Sequence, residues 1–290
     1  MAISGMAAEP AHTLIQITDV HIRAADEAAA EPVDTLVVLG RALDAVAQTG
    51  VRPAAVLFTG DLTEHGRPEE YQRLRSLVDP AMARIGVPAV YLPGNHDDRA
   101  AMLEHLLGAA ASTAPLDQVV HLGALRVIAM DSTVPGRAYG ELSGEQLAWL
   151  RTELRTPAPD GTVLALHHPP LPTPVPLSGA IELRNRDELA EVIAGADVRV
   201  VLAGHTHVVS AGALAGIPVW TGGGIAPTID SLEPDGALRG LSCPSLSRID
   251  LFDNSTLISS IPFDAAEVAY VPSETMRPRI AELQAQVPTG

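Results

Sequence analysis

Eight side chains in this chain combine residue types and spacings suited to metal chemistry: Asp19, His21, Asp61, Asn95, His96, His167, His205 and His207. The densest stretch is Gly94-Asn95-His96-Asp97-Asp98. Gly94 lets the backbone turn sharply without a Cβ penalty. On such a turn the adjacent Asn95 and His96 side chains can diverge, one toward a metal and the other toward a substrate. Asp19 and His21 lie two residues apart, so an extended chain puts both on one face, where they can share a divalent ion. Taken alone, that pair reads equally as two polar residues at a strand end. Together the set offers carboxylate, amide and imidazole ligands and no thiolate, which suits Fe, Mn, Zn or Co. Two such metals about 3.5–4 Å apart clamp the attacking and leaving oxygens of a phosphoryl transfer and need a bridging carboxylate. A water on such a metal ionises near pH ~7 rather than ~15.7 and supplies a hydroxide nucleophile. A separate imidazole that protonates the leaving oxygen is worth roughly 10²–10⁴ in rate.

The elements that must position these residues are legible as apolar runs. Residues 13–18 read as a first strand ending at Asp19. Asp34 caps a helix running to about Gln48, with Gly50 as its stop. A second strand, 54–58, runs into Thr59-Gly60-Asp61, and Pro68 opens a helix over 68–84. The third strand, 89–92, precedes Gly94, and a helix is expected over 99–107. Strand and helix alternate, which implies a parallel sheet with right-handed crossovers. Three polar clusters therefore fall on the same sheet edge, where open α/β sheets place ligands. Two short strands follow, near 117–122 and 125–130, then a capping box at Ser143-Gly144-Glu145-Gln146. A buried strand over 162–166 ends in His167-His168-Pro169-Pro170. The proline-rich segment 169–176 is a stiff loop, either a pocket wall or a plain connector. A helix near 186–194 precedes a strand over 198–202 that ends in Gly204-His205-Thr206-His207. The remainder is mostly β, with strands near 208–213, 217–221, 246–252 and 256–263 and a long loop over 222–245. Residues 264–290 show little pattern, and a partly flexible tail is expected there. One domain over 1–290 is expected, with its motifs within 13–210.

Composition narrows the class. Apolar residues make up 47% of the 290 and charged residues 19%, as in a globular protein with a large core. Aromatics are only 3%, so that core must be aliphatic. The formal net charge of −16 opposes nucleic-acid binding but not a small anionic substrate, because bound metals reverse the local field. Cys243 is the single cysteine, so no disulfide framework exists within the chain. Residues 1–12 lack a basic start and an apolar run, and no run approaches the roughly 18 residues of a membrane span. A cytoplasmic protein is therefore expected. His12, His65, His105, His121 and His168 lack a comparable setting and read as surface or packing residues, with His168 bordering the site.

Asp19-Val20-His21, Gly60-Asp61, Gly94-Asn95-His96-Asp97, His167 and Gly204-His205-Thr206-His207, in this order, resemble the motifs of the calcineurin-like metallophosphoesterases. The resemblance implies a four-layer αββα sandwich of two mixed β-sheets with a dinuclear site at its edge. It implies that Asp19, His21, Asp61 and His207 hold one metal. Asp61, Asn95, His167 and His205 would hold the other, with Asp61 bridging. His96 would be the leaving-group acid. Asp97 would orient His96 by a hydrogen bond, or else be an exposed helix-capping carboxylate. Phe58-Thr59-Gly60-Asp61-Leu62, Asp131-Ser132-Thr133-Val134-Pro135-Gly136 and Leu202-Ala203-Gly204-His205-Thr206-His207 look further like the class III cyclic-nucleotide phosphodiesterases, especially those of actinobacteria. That subgroup hydrolyses 3′,5′-cyclic AMP and often other phosphodiesters, and tends to dimerise, so a homodimer is expected. One departure is visible: Arg137-Ala138-Tyr139 has no histidine where members of the subgroup can carry one. A broad phosphodiesterase acting on glycerophosphodiesters and a phosphomonoesterase are the rival enzyme readings. A scaffold that lost catalysis would be expected to lack ligands, and none is missing.

Overall fold

The computed structural model describes residues 8–29, 34–173, 175–232, 237–263 and 272–285. Strands β1 (His12–Ile17), β2 (Ala55–Thr59) and β3 (Ala89–Leu92) are parallel neighbours, as strand–helix alternation requires. The two long helices between them are Thr35–Gln48 and Pro68–Ile85, with a single turn, Ala25–Ala28, ahead of the first. The Asp34 side chain accepts a hydrogen bond from the Leu36 N–H (3.0 Å), which caps the first of these. Gly86, at φ 77°, closes the second in the left-handed conformation that glycine adopts freely.

A second sheet is built from β4 (Gln118–Leu122), β5 (Leu125–Met130), β6 (Thr162–Leu166), β7 (Val198–Ala203), β8 (Ser210–Leu214) and β9 (Ile217–Thr221). Its order is β4-β5-β6-β7-β9-β8, with β5, β6, β7 and β9 parallel and both edge strands antiparallel. A short ribbon, β10 (Thr228–Ile229) with β11 (Gly240–Leu241), occupies part of the segment read as one long loop; residues 233–236 lie outside the described residues. Then β12 (Ser245–Phe252) returns to the first sheet, antiparallel to β1, and β13 (Ser255–Pro262) pairs with β12, giving the order β13-β12-β1-β2-β3. Both sheets are therefore mixed.

Burial shows four layers. Leu14, Leu57, Val90, Val127, Val163 and Val200 pack between the two sheets. The alternate strand residues Ile15, Ile17, Val56 and Phe58 face outward onto Leu39 and Leu43 of helix Thr35–Gln48 and Leu74 and Val78 of helix Pro68–Ile85. On the far side, Ile128, Leu164 and Val201 meet Leu147 and Leu150 of helix Gly144–Glu153 and Leu189 of helix Arg186–Ile193. The period-2 alternation of each strand thus feeds two separate apolar layers.

Three local expectations change. The segment 99–107 is one short α-turn, Arg99–Ala101, followed by a π-turn, Met102–Leu106. The proline-rich loop ends in a short helix, Pro176–Ala180. In the expected tail, Ser273–Ala285 is helical, while 264–271 and 286–290 lie outside the described residues. Among the described residues no helix is long and apolar enough to cross a membrane.

Candidate metal centre

All eight expected site residues lie in loops leaving the C-terminal ends of β1, β2, β3, β6 and β7. Backbone bonds lash these loops together. The Val20 and His21 N–H groups both donate to the Asp61 carbonyl (2.8 and 2.9 Å), and Gly204 N–H donates to the His167 carbonyl (3.0 Å). The His205 N–H reaches the Asp19 carboxylate (2.9 Å) and so joins the two sheets.

Asp19, His21, Asp61, His205 and His207 all adopt positive φ, between 49° and 72°; Ala215 is the other described non-glycine residue to do so. Such conformations cost about 1–3 kcal/mol each and collect at functional sites. Here they turn the side chains inward. Gly94 is required for a reason the sequence does not show. It has no positive φ; a Cβ there would come within 2.2 Å of the Asp61 carboxylate.

Three overlapping groups result: Asp19, His21 and His207; His21, Asp61 and His96; and Asp61, His167 and His205, each with its ligand atoms within 4.8 Å of one another. The first and third can supply the outer ligands of two metals. Asp61 Oδ2 stands between them, 3.5 Å from His21 Nε2 and 3.2 Å from His167 Nε2. The other ring nitrogens have fixed partners. His167 Nδ1–H donates to the Thr59 carbonyl (2.9 Å), His207 Nδ1–H to Pro227 (2.9 Å) and His205 Nε2–H to Ile181 (2.9 Å). His21 Nδ1–H donates to Glu64 (2.9 Å). Each bond fixes a tautomer that leaves the opposite nitrogen's lone pair for a cation.

The donor set fits a dinuclear centre. Asn95 Oδ1 and His205 Nδ1 are buried and make no hydrogen bond. His21 Nε2 and His207 Nε2 face each other at 3.1 Å, where two lone pairs repel unless a proton or metal lies between them. Electrostatics agree. Burial would raise Asp61, but His167 and His21 hold its carboxyl well below the usual range. Burial would lower His167 and His207; Asp61 beside the first and Asp19 beside the second push each up to about 9. Burial and the neighbouring His167 lower His205 to about 4.

His96 stands beside the centre, its ring 4.7 Å from that of His21. Its backbone N–H donates to Asp61 Oδ1 (2.9 Å), and its Nδ1–H donates to the Glu64 carbonyl (2.8 Å), leaving Nε2 for a substrate. The expected Asp97–His96 hydrogen bond is not formed. Asp97 instead accepts from the backbone of Leu62, Thr63 and Gly94, from the Thr63 hydroxyl and from the Tyr71 hydroxyl. It is half-buried, and the helix is capped by Asp98 (2.8 Å to Ala101 N). Asp97 braces the Asp61 loop against the Gly94 turn.

Two residues near the site were not singled out by spacing. Glu64 holds His21 with its carboxylate and His96 with its carbonyl. His168 is fully buried, with its ring 4.4 Å from that of His205 and its Nδ1 2.8 Å from Ser132 Oγ. Burial, then His205 and His167 nearby, push its imidazole well below the ordinary value, so it is neutral. The paired His167-His168 at a strand end was the available signal.

The fold and this site define a metallophosphoesterase. The chain matches the calcineurin-like phosphoesterase family over residues 12–209 and belongs to that family. It is 40% identical to the cAMP/cGMP dual specificity phosphodiesterase MT0825 of Mycobacterium tuberculosis over 276 residues, 94% of this chain and 87% of that protein. It is 42% identical to a probable cyclic nucleotide phosphodiesterase of Rhodococcus erythropolis, covering 88% of this chain and 85% of that one. A dimetal phosphatase from Danio rerio shares the fold at 16% identity, with a TM-score of 0.64 over 87% of this chain and 96% of its own.

Proposed function

We propose that the protein is a dinuclear-metal-dependent phosphodiesterase that hydrolyses 3′,5′-cyclic nucleotides. The observation that carries this reading is the pair of ligand groups meeting at Asp61 with His96 alongside. The near full-length similarity to proteins named for cyclic nucleotides supports the substrate class.

Asp19, His21, Asp61 and His207 hold one metal, and Asp61, Asn95, His167 and His205 the other. The ions are drawn from Fe, Mn, Zn and Co, as the ligand chemistry favours. When bound, they supply Lewis acidity toward the phosphoryl oxygens and lower the pKa of a coordinated water. His96 acts from its Nε2. Its Nδ1–H is committed to the Glu64 carbonyl, so Nε2 is the nitrogen presented to a substrate. A proton on Nε2 is donated to the leaving oxygen as charge builds there. Glu64 keeps His21 in the tautomer that presents Nε2. Asp97 acts at one remove, by fixing the Asp61 and Gly94 backbone. The enzyme works as a cytoplasmic homodimer, the assembly of the subgroup it resembles.

The test is hydrolysis of 3′,5′-cyclic AMP by the metal-loaded protein, beside an aryl phosphodiester and an aryl phosphomonoester. Cyclic AMP should give the highest kcat/KM of the three. Asn95→Ala should lower that turnover at least 100-fold and reduce bound metal from two toward one per chain. Full rate with two metals in the variant would remove Asn95 from the ligand set. Preference for the monoester would replace the phosphodiesterase reading.

A further inference from the structure

Tyr71 stands in the first turn of the helix Pro68–Ile85 and is fully buried. An apolar core position is filled as well by phenylalanine; the phenol adds a polar atom that must find partners. Its hydroxyl donates to Asp97 Oδ1 (2.9 Å) and accepts the Asp98 N–H (2.9 Å). Burial, and then Asp97 nearby, hold the phenol well above its ordinary pKa, so the donated proton stays on it. Both partners directly follow His96 in the chain. The same segment is closely packed from the Asp61 loop, since a Cβ at Gly66 would come within 2.8 Å of the Asp98 nitrogen and 3.3 Å of the His96 carbonyl oxygen. The His96 ring is held at Nδ1 by the Glu64 carbonyl, and its Cα goes where the backbone of residues 96–98 goes.

We propose that Tyr71 is a positioning residue for His96: its hydroxyl fixes the backbone from which the His96 ring reaches the leaving oxygen. The proposal rests on the phosphodiesterase reading and adds a residue that acts from the helix behind the site. The division of bonds carries it. Of the five donors on Asp97, four come from Leu62, Thr63 and Gly94, and these tie it to the Asp61 side of the centre. Only the fifth, the phenol, comes from the helix, and the phenol alone also takes the Asp98 N–H. Removing the hydroxyl therefore leaves the braces of the metal ligands in place. It frees the His96–Asp98 segment from the helix. A misplacement of about 1 Å in a reacting group costs on the order of 10² in rate, so a small shift of this segment is enough to matter.

Tyr71→Phe keeps the ring and removes the hydroxyl. In the metal-loaded protein it should lower kcat for cyclic AMP by about tenfold or more, because the leaving ribose oxygen needs a proton. KM should stay within about twofold and metal content should be that of the wild type. For bis(4-nitrophenyl) phosphate, whose nitrophenolate leaves without a proton, kcat should fall less than about threefold. Leu74→Ala is the control for stability, since Leu74 is fully buried one turn further along the same helix and touches none of these bonds. It should lower Tm more than Tyr71→Phe does and leave the ratio of the two rates unchanged. Added to His96→Ala, Tyr71→Phe should slow cyclic AMP hydrolysis no further, because there is no ring left to position. Four results would each overturn the positioning role and leave the phosphodiesterase reading standing: wild-type turnover of cyclic AMP in Tyr71→Phe, an equal loss on both diesters, loss of metal from the folded variant, or a full further loss in the His96→Ala background. A wild-type protein that does not turn over cyclic AMP removes both.

Discussion

His167 and His207 each sit against a buried carboxylate, and that pairing decides how the site answers to pH. Burial alone would make both rings shed their protons early; Asp61 and Asp19 reverse this and hold the protons until about pH 9. A metal must take the place of those protons. The sign follows directly: below about pH 9 the metal-free site carries protons that the metal-filled site cannot, so loading releases protons and affinity rises with pH. Titrating metal into chelator-treated protein at pH 7, in two buffers of different ionisation enthalpy, should show between one and two protons released per chain. Affinity should rise from pH 6 toward pH 9 and then level. No proton release at pH 7 would mean that the rings are neutral before the metal arrives, against the assigned pairing. Glu64 makes the contrasting case. Burial would raise its carboxyl, but His21 and Arg23 lower it, so it stays an acceptor and His21 keeps its Nδ1 proton. At this scale the sequence reveals residue types well and partners poorly. Asp97 is adjacent to His96 in the chain, yet its carboxylate turns to Leu62, Thr63 and Gly94, because five donors converge on it there and His96 already has the Glu64 carbonyl.

Among the elements, the loop after β2 and the turn after β3 interlock most tightly. Gly94 approaches Asp61 so closely that a methyl group at 94 would overlap the carboxylate. Gly94→Ala should therefore push Asp61 out of its place between His21 and His167, where we propose that it bridges the metals. The expected result is a loss of about 1–3 kcal/mol of stability, the range for overpacking a filled site, and a drop in bound metal below two per chain. Thermal unfolding and metal analysis of the purified variant check both; a protein with native melting and two metals would show that the loops can separate without cost. The same elements show what a linear reading reaches. Strands β1, β2, β3, β6 and β7 are legible because short apolar runs end in Asp, Asn or His, and parallel strands carry those ends to one edge. The π-turn at Met102–Leu106 is not legible, because a helical run of apolar residues reads alike whether its bonds close over four residues or five. The ribbon Thr228–Ile229 with Gly240–Leu241 escapes for a related reason: two-residue strands carry no alternation to detect. Gly60 is required both by its φ of 92° and by the His167 ring, which a Cβ would overlap, and only the first of these is a property of local sequence.

For the molecule as a whole, the centre joins two sheets that are also held by an aliphatic layer and by polar bonds such as Gln16 Nε2–H to the Ala203 carbonyl and Trp220 Nε1–H to Ser247. Asp19, His21, Asp61 and Asn95 come from loops of the first sheet, and His167, His205 and His207 from loops of the second. The −16 net charge does little to repel an anionic substrate at a distance, because beyond about 8 Å it is screened at physiological salt. At the site itself, two divalent ions, if bound there as proposed, would leave a local charge of about +2 against the carboxylates of Asp19 and Asp61. The same arithmetic bears on stability. Without metal, the buried carboxylates of Asp19 and Asp61 keep the His205 and His96 N–H groups, but the opposed His21 and His207 lone pairs have only a proton to separate them. With metal, ligands from both sheets share one centre, and an ion that binds the folded chain alone stabilises it by mass action. At a thousandfold excess over Kd that is worth about 4 kcal/mol. For a chain of this length it corresponds to a rise in Tm of roughly 8 °C, taking about 2 °C per kcal/mol. Chelation should therefore lower Tm by that order, re-addition of Mn or Zn should restore it, and Asn95→Ala should show a smaller response. Equal Tm before and after chelation, with metal analysis confirming removal, would mean that the aliphatic layer and the polar bonds between the sheets suffice and that the bound metal contributes nothing to holding them together.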